Sequence, residues 1–290
     1  MTMNYRTLGG TGIQVSVHCL GTMMFGAVGN PDHDDCARII HAALDQGINF
    51  VDTADMHSGG ESEEIVGKAL KGRRDDIVVA TKVHFQMGEG RNRSGNSRRW
   101  ILQGVEESLS RLQTDWIDLY QIHRPDPATD IEETLSALTD LVHAGKIRAF
   151  GCSAFPAEDI VGAYHVAERR GLLRFRTEQP PYSLLARGIE SSVLPVCQRL
   201  GMGVLTWSPR AWGFLSGRYR KGEDAGLSAG RPRCARIGSI PRFRRTPPSS
   251  RPPASSRSWQ RASAAPSRSS RSPSRSRTRR SPRSSSGRGP

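Results

Sequence analysis

At 290 residues the chain has room for one large domain or two ordinary ones, and its formal charge of +14 would favour nucleic acid if it were spread evenly. It is not: 17 of the 42 basic residues are arginines beyond residue 230, and residues 1–224 carry a net charge of −3, so the body is mildly acidic. Five scattered cysteines without a CxxC pair suit a reducing compartment better than a disulfide framework or a structural zinc site, and no apolar run approaches the roughly 18 residues of a membrane span.

The N-terminal stretch MTMNYRTLGG lacks the apolar core of a signal peptide, which makes the cytoplasm the expected location. Its LGGTG resembles a glycine-rich phosphate loop, but it precedes the first strand and opens no helix, so a hairpin turn accounts for it better. From there one phrase repeats. VSVHCLG leads into DDCARIIHAALDQG, INFVDT into SEEIVGKALKG, DIVVATK into RRWILQGVEESLSRL, and WIDLYQIH into DIEETLSALTDLVHAG. IRAFGCS then leads into AEDIVGAYHVAERRG, FRTEQ into IESSVLPVCQRLG, and GVLTWS comes last. Strands alternating with helices at about 30-residue spacing predict βα units and a parallel sheet. Apolar rows such as Ile39, Ile40, Ala43 and Leu44 give each helix one face to bury, and Gly47, Gly72, Gly145, Gly171 and Gly201 are its C-terminal stops.

Seven such strands without a GxGxxG after the first favour an α/β fold of the (β/α)8 TIM-barrel kind over a doubly wound sheet. The hairpin turn then caps the barrel floor. Beyond residue 230 the pattern stops: residues 231–290 contain 17 Arg, 17 Ser and 10 Pro with no acid and no lysine. Such a segment cannot bury enough apolar surface to offset its ordering entropy. The expected organisation is a barrel over 1–230, short of strand eight and the last helices, followed by a disordered Arg/Ser/Pro-rich tail over 231–290.

In a βα barrel the chemistry sits at the C-terminal ends of the strands. Those ends carry Asp52, Lys82, His123, Ser153, Gln179 and the pair Trp207–Ser208. Three ionisable groups of different type on consecutive strands are better explained by a site than by solvated strand ends. An Asp–Lys pair holds an ammonium in place, and a histidine opposite can bond a substrate oxygen. The stretch NFVDTADMHSGGESEE adds Asp55 and His57 within five residues of Asp52.

FVDTADMHSGGESEEIVGKAL, VVATKV, DWIDLYQIHRPD and WSPRAWGFLSGRY together resemble the aldo-keto reductases, NADPH-dependent enzymes built on a (β/α)8 barrel. The likeness runs from residue 4 to about 230, with four motifs in order. It implies reduction of an aldehyde or ketone to an alcohol, with NADP(H) as cofactor and a small carbonyl compound as substrate. By resemblance Asp52, Lys82 and His123 fill three of the four catalytic places. Ser153 and Gln179, with Asp52, belong to the nicotinamide end of the cofactor site. Trp207 stacks on the ring, Ser208, Arg210 and Gly213 contact the pyrophosphate, and Gly21, Thr22 and Met23 form the first-strand segment near the cofactor.

The departures are specific. The family's fourth catalytic residue is a tyrosine, and His57 stands in its place. Ala154 replaces the asparagine beside the carboxamide serine, and Arg210 stands where leucine is common. The family's adenosine-binding residues follow strand eight, where this chain carries only the Arg/Ser/Pro tail, the composition that an out-of-frame reading of a GC-rich gene yields. Beside Lys82 an imidazole is pushed below its reference value near 6.5, which leaves His57 either a weak acid or a bystander with His123 taking over. Other readings are a non-catalytic cofactor-binding or regulatory subunit of the same family, a metal-dependent hydrolase using His57, His84 and His123, and nucleic-acid binding through the Arg/Ser tail. No RNA-binding module accompanies that tail. The sequence leaves Arg124 and Asp126 equally open as substrate contacts or as solvated loop residues.

Overall fold

The computed structural model describes residues 3–217. The expectations for strand eight, the last helices and the tail lie outside the described residues. Two strands, β1 (Tyr5–Thr7) and β2 (Gln14–Ser16), pair antiparallel around a short 3₁₀ turn at Gly9–Thr11. Seven further strands form one parallel sheet in chain order: β3 (Leu20–Gly21), β4 (Phe50–Asp52), β5 (Val78–Val83), β6 (Ile117–Ile122), β7 (Ile147–Cys152), β8 (Thr177–Glu178) and β9 (Gly203–Val204). Six helices connect them: α1 (His33–Asp45), α2 (Glu61–Ala69), α3 (Arg98–Leu112), α4 (Ile131–His143), α5 (Ala157–Arg170) and α6 (Val193–Leu200). The sheet curls into a partial (β/α)8 barrel.

The helices begin where the sequence supplies caps. Asp32 accepts from the backbone N–H groups of Asp34 and Asp35, Ser97 from Trp100 and Asp130 from Glu132, each satisfying donors that the first turn leaves unpaired. The first barrel strand differs from expectation. VSVHCLG divides, with Val15 and Ser16 in the hairpin and only Leu20–Gly21 in the sheet. A β-branched run signals a strand but not which sheet it joins.

Two apolar clusters follow from the strand alternation. The larger fills the space between sheet and helices, with Trp100, Ile101, Tyr120, Leu135, Leu138 and Phe150 at its centre. The smaller lies inside the curl: Phe50, Val78, Ala80, Leu119 and Ala149 point inward from the strands, and Leu8 and Val15 of the hairpin close it from below. The LGGTG turn is therefore the floor plug. A Cβ on Gly9 would overlap the carbonyl oxygen of Arg176 and come within 2.7 Å of the Gly203 nitrogen, so only glycine lets the hairpin seat under β8 and β9. Higher up, a Cβ on Gly151 would overlap Thr177, which clears the interior for a polar layer and then the site. No helix among the described residues is long and apolar enough to cross a membrane.

Candidate active site

Alternation puts Asp52 of β4, Lys82 of β5, Gln121 of β6 and Gln179 after β8 on the inner face at the C-terminal end of the curl. Lys82, 3% exposed, donates to Asp52 Oδ1 at 2.7 Å, to Asp52 Oδ2 at 2.8 Å and to the Thr53 carbonyl at 2.6 Å. The two Asp52 oxygens subtend a narrow angle at Nζ and share one proton direction, the Thr53 carbonyl takes a second, and the third ammonium proton has no acceptor among the described residues. Gln179 Nε2 donates to Asp52 Oδ1 at 3.2 Å, and Gln121 Nε2 donates to Gln179 Oε1 at 3.3 Å. A chain of side chains therefore runs from Gln121 to Lys82 and fixes the carboxylate from two sides.

His57 begins the 3₁₀ turn after β4, and His123 follows β6 directly. Both are nine-tenths buried, their rings lie edge to face with centroids 6.2 Å apart, and Phe85 packs on His123 at 4.9 Å. Nδ1 of each ring is buried without a hydrogen-bond partner among the described residues. Burial, and then the Lys82 charge, hold His57 down to about 3. The same two causes push His123 still lower, aided by Arg124. Two neutral imidazoles therefore face each other beside a paired ammonium.

On the opposite wall Ser153, after β7, donates to the Gln179 carbonyl at 2.8 Å and accepts a long bond from Arg124 Nη1 at 3.5 Å, which leaves one lone pair able to accept. Gln179 keeps one amide proton and one lone pair beyond its two bonds. Ser153 and Gln179 thus match what a carboxamide needs, an acceptor and a donor side by side, and the nicotinamide end of the cofactor fits these residues. Ala154 lies at φ 56, a left-handed conformation that asparagine tolerates and alanine does not. Glu178, fully buried, is pushed up to about 7 by burial.

The loop after β9 holds Trp207, Ser208, Arg210 and Gly213. Ser208, Ala211 and Trp212 all have positive φ, as does Gly213, so the backbone is wound tightly on itself. Ser208 Oγ accepts from the Trp212 N–H at 3.3 Å, and Arg210 is exposed. At the first strand, Gly21 and Met23 are exposed, whereas Thr22 is fully buried. Its hydroxyl lies 3.2 Å from the Asp52 carbonyl and 2.9 Å from Ser62 Oγ. Thr22 ties β3 to β4 and α2 from within, while Gly21 and Met23 present surface.

Several residues that the strand-end reading passed over belong to the assembly. Gln121 carried a signal, since a polar residue in the inward row Leu119–Gln121–His123 is out of place in an apolar floor. The Thr53 carbonyl carried none. Asp55 is 1% exposed, its Oδ1 accepts from the Met56 N–H at 2.6 Å, and its Oδ2 is buried without a partner among the described residues. Burial, and then the nearby Glu63, raise it to about 8. It is a neutral acid behind the loop that carries His57. Glu63 itself accepts from Thr81 at 2.5 Å and from Arg111 at 2.7 Å, which locks α2 to β5 and α3.

Asp126 and Arg124 now separate. Asp126 accepts from the Asn96 N–H, the Ala128 N–H and the Thr129 hydroxyl, so it shapes its own loop. Arg124 instead packs against the site. His84 Nδ1 is bonded to Asn96 Oδ1 at 2.9 Å, and among the described residues no group of three or more His, Cys, Asp or Glu is disposed to hold a metal ion.

The family model for the aldo/keto reductase family matches residues 19–265, past the point at which the βα pattern breaks. A probable voltage-gated potassium channel subunit beta from Oryza sativa subsp. japonica is 39% identical over 226 residues, 76% of this chain and 68% of that protein. Aldo-keto reductase YhdN from Bacillus subtilis is 41% identical over 220 residues, 74% of this chain and 65% of the relative. The uncharacterized oxidoreductase YrpG from the same bacterium is 40% identical over 240 residues, 79% and 73% of the two chains. The chain thus spans about two thirds of the length of these relatives. With a paired lysine and aspartate at the strand ends, a seven-stranded curl and a family match over most of its length, the chain belongs to the aldo/keto reductase family.

Proposed function

We propose that the chain is an NADPH-dependent carbonyl reductase in which a neutral histidine, His57, occupies the proton-donor position. The observation that carries this reading is the placement of Lys82, held by Asp52 and the Thr53 carbonyl beside His57 and His123 at the mouth of the curl. The nicotinamide, when bound, supplies the hydride to the carbonyl carbon. Ser153 and Gln179 would hold its carboxamide, Trp207 its ring, and the Ser208–Gly213 loop its phosphates. Asp52 keeps the ammonium in place, and His123 donates a hydrogen bond to the substrate oxygen. His57 must then give that oxygen a proton, and here the chemistry is weak. A tyrosine phenol, near 10, is a usable acid beside a cation, whereas a neutral imidazole is a poor one.

A non-catalytic cofactor-binding subunit is the second reading. It is favoured by the channel-subunit names among the relatives. One assay separates the two: oxidation of NADPH by the full chain with a nitrobenzaldehyde, run beside Lys82→Met. Carbonyl reduction that falls by about 10² or more in Lys82→Met supports the enzyme. NADPH binding without turnover in the unmodified chain supports the subunit.

A further inference from the structure

We propose that Arg124 determines substrate specificity by binding a carboxylate carried on the carbonyl substrate, so that the preferred substrates are aldehydes or ketones bearing an acid group. The inference rests on the carbonyl-reductase reading for the reaction, but the binding step stands apart from it.

Arg124 follows His123 directly and is half-buried. Its guanidinium lies 5.9 Å from the ring centroid of Phe85 and 5.9 Å from that of Trp207, the aromatic residues at the two sides of the site. Phe85 in turn packs on His123. One nitrogen is anchored: Nη1 donates to the His123 carbonyl at 2.6 Å and reaches Ser153 Oγ at 3.5 Å. The other edge, Nε–H and the two protons of Nη2, has no acceptor among the described residues. That edge is the planar pair of donors that grips a carboxylate with two parallel hydrogen bonds.

The surrounding charges leave this cation uncompensated. Lys82 is neutralised by Asp52, and Asp126 spends its oxygens on its own loop. The carboxyl that acts on Arg124 through space is Glu178, yet it makes no ion pair with it and is half neutral near pH 7. Among the described residues no carboxylate oxygen lies within 4.0 Å of the guanidinium, a lack that Arg124 shares with the partly buried Arg174 and Arg176 but not with the partly buried Arg74, Arg93, Arg98 and Arg111. A half-buried arginine that is clamped by two aromatic rings, anchored at one nitrogen and open at the other edge is arranged for an anion from outside the chain.

The test compares 4-formylbenzoate with its neutral isostere 4-formylbenzamide, and the 3-formyl pair likewise, by calorimetric binding to the full chain. Charge-assisted bidentate pairing should make the acid of one isomer bind about tenfold more tightly than its amide. In Arg124→Gln that ratio should fall to within about twofold of unity, and in Arg124→Lys, which keeps the charge but loses the fork, by at least about threefold. Equal binding of acid and amide by the unmodified chain overturns the proposal, as does a ratio that survives in either variant. So does an Arg124→Gln that weakens NADPH while leaving the ratio intact, because the guanidinium would then serve the cofactor. If the acid binds preferentially but neither aldehyde is reduced, the carbonyl-reductase reading fails and the Arg124 assignment stands.

Discussion

Burying an ammonium is costly unless an opposite charge is in contact, and Lys82 meets that condition through both oxygens of Asp52, with the Thr53 carbonyl as a further acceptor. Its neighbour His57 is kept neutral first by its own burial and then by this charge. Lys82 acts on His57 through space, and a cation nearby in a dry site adds to burial in disfavouring the imidazolium. Asp52, Lys82, His123 and Gln179 were legible in the sequence because each ends a strand. Arg124 was not, because loop residues lack a period and its partners come from three other strand ends. Ala154 shows strain at a single residue. At φ 56 an alanine costs about 1–2 kcal/mol, of which glycine recovers part after its own entropy loss. Ala154→Gly should therefore stabilise the chain by about 0.5–1 kcal/mol in denaturant unfolding, and a loss of stability would show that the Ala154 methyl packs usefully.

The loop between β4 and α2 is the element in which charge and fold are coupled. Asp55, raised to about 8, holds a proton that the unfolded chain has already lost above about 3.9. Stability from this group therefore falls as pH rises through that window and levels off above about 8. His57, lowered to about 3, works the other way and costs stability as pH falls from about 6.5. From pH 7 to 8 the Asp55 slope is the largest, at about 1 kcal/mol over that unit, and Glu178, raised to about 7, adds a smaller loss of the same sign. Asp55→Asn, which keeps a neutral donor in place, should remove most of the slope and leave the smaller Glu178 part, and an unchanged slope would assign it elsewhere. The helices were readable from their glycine stops and apolar rows to within about two residues, except α6, which begins at Val193, four residues after the start of IESSVLPVCQRLG, because Gly188–Ser191 forms a 3₁₀ turn. The buried acid was not, since Asp55 sits in a motif in which every polar residue looks equally close to the site.

At the scale of the whole molecule, seven strands in chain order curl round a plug built from the N-terminal hairpin. The alternation of strand and helix made that architecture legible, whereas the length of the first strand was misjudged because hairpin and barrel strand are apolar alike. Gly9 links the plug to β8 and β9, so Gly9→Ala should cost about 2–3 kcal/mol through backbone overlap, more than an exposed glycine such as Gly12 would. Equal effects at the two sites would mean that the plug is not seated as described. The central claim, that a neutral His57 stands where a working acid belongs, is tested most directly by the rate of nitrobenzaldehyde reduction with saturating NADPH across pH 5–8. The unmodified chain should show a slow, flat profile, with a rise of about tenfold or more in His57→Tyr and only a few-fold loss in His57→Phe. A rate unchanged in His57→Tyr and abolished in His57→Phe would contradict that claim, because His57 would then be the working acid.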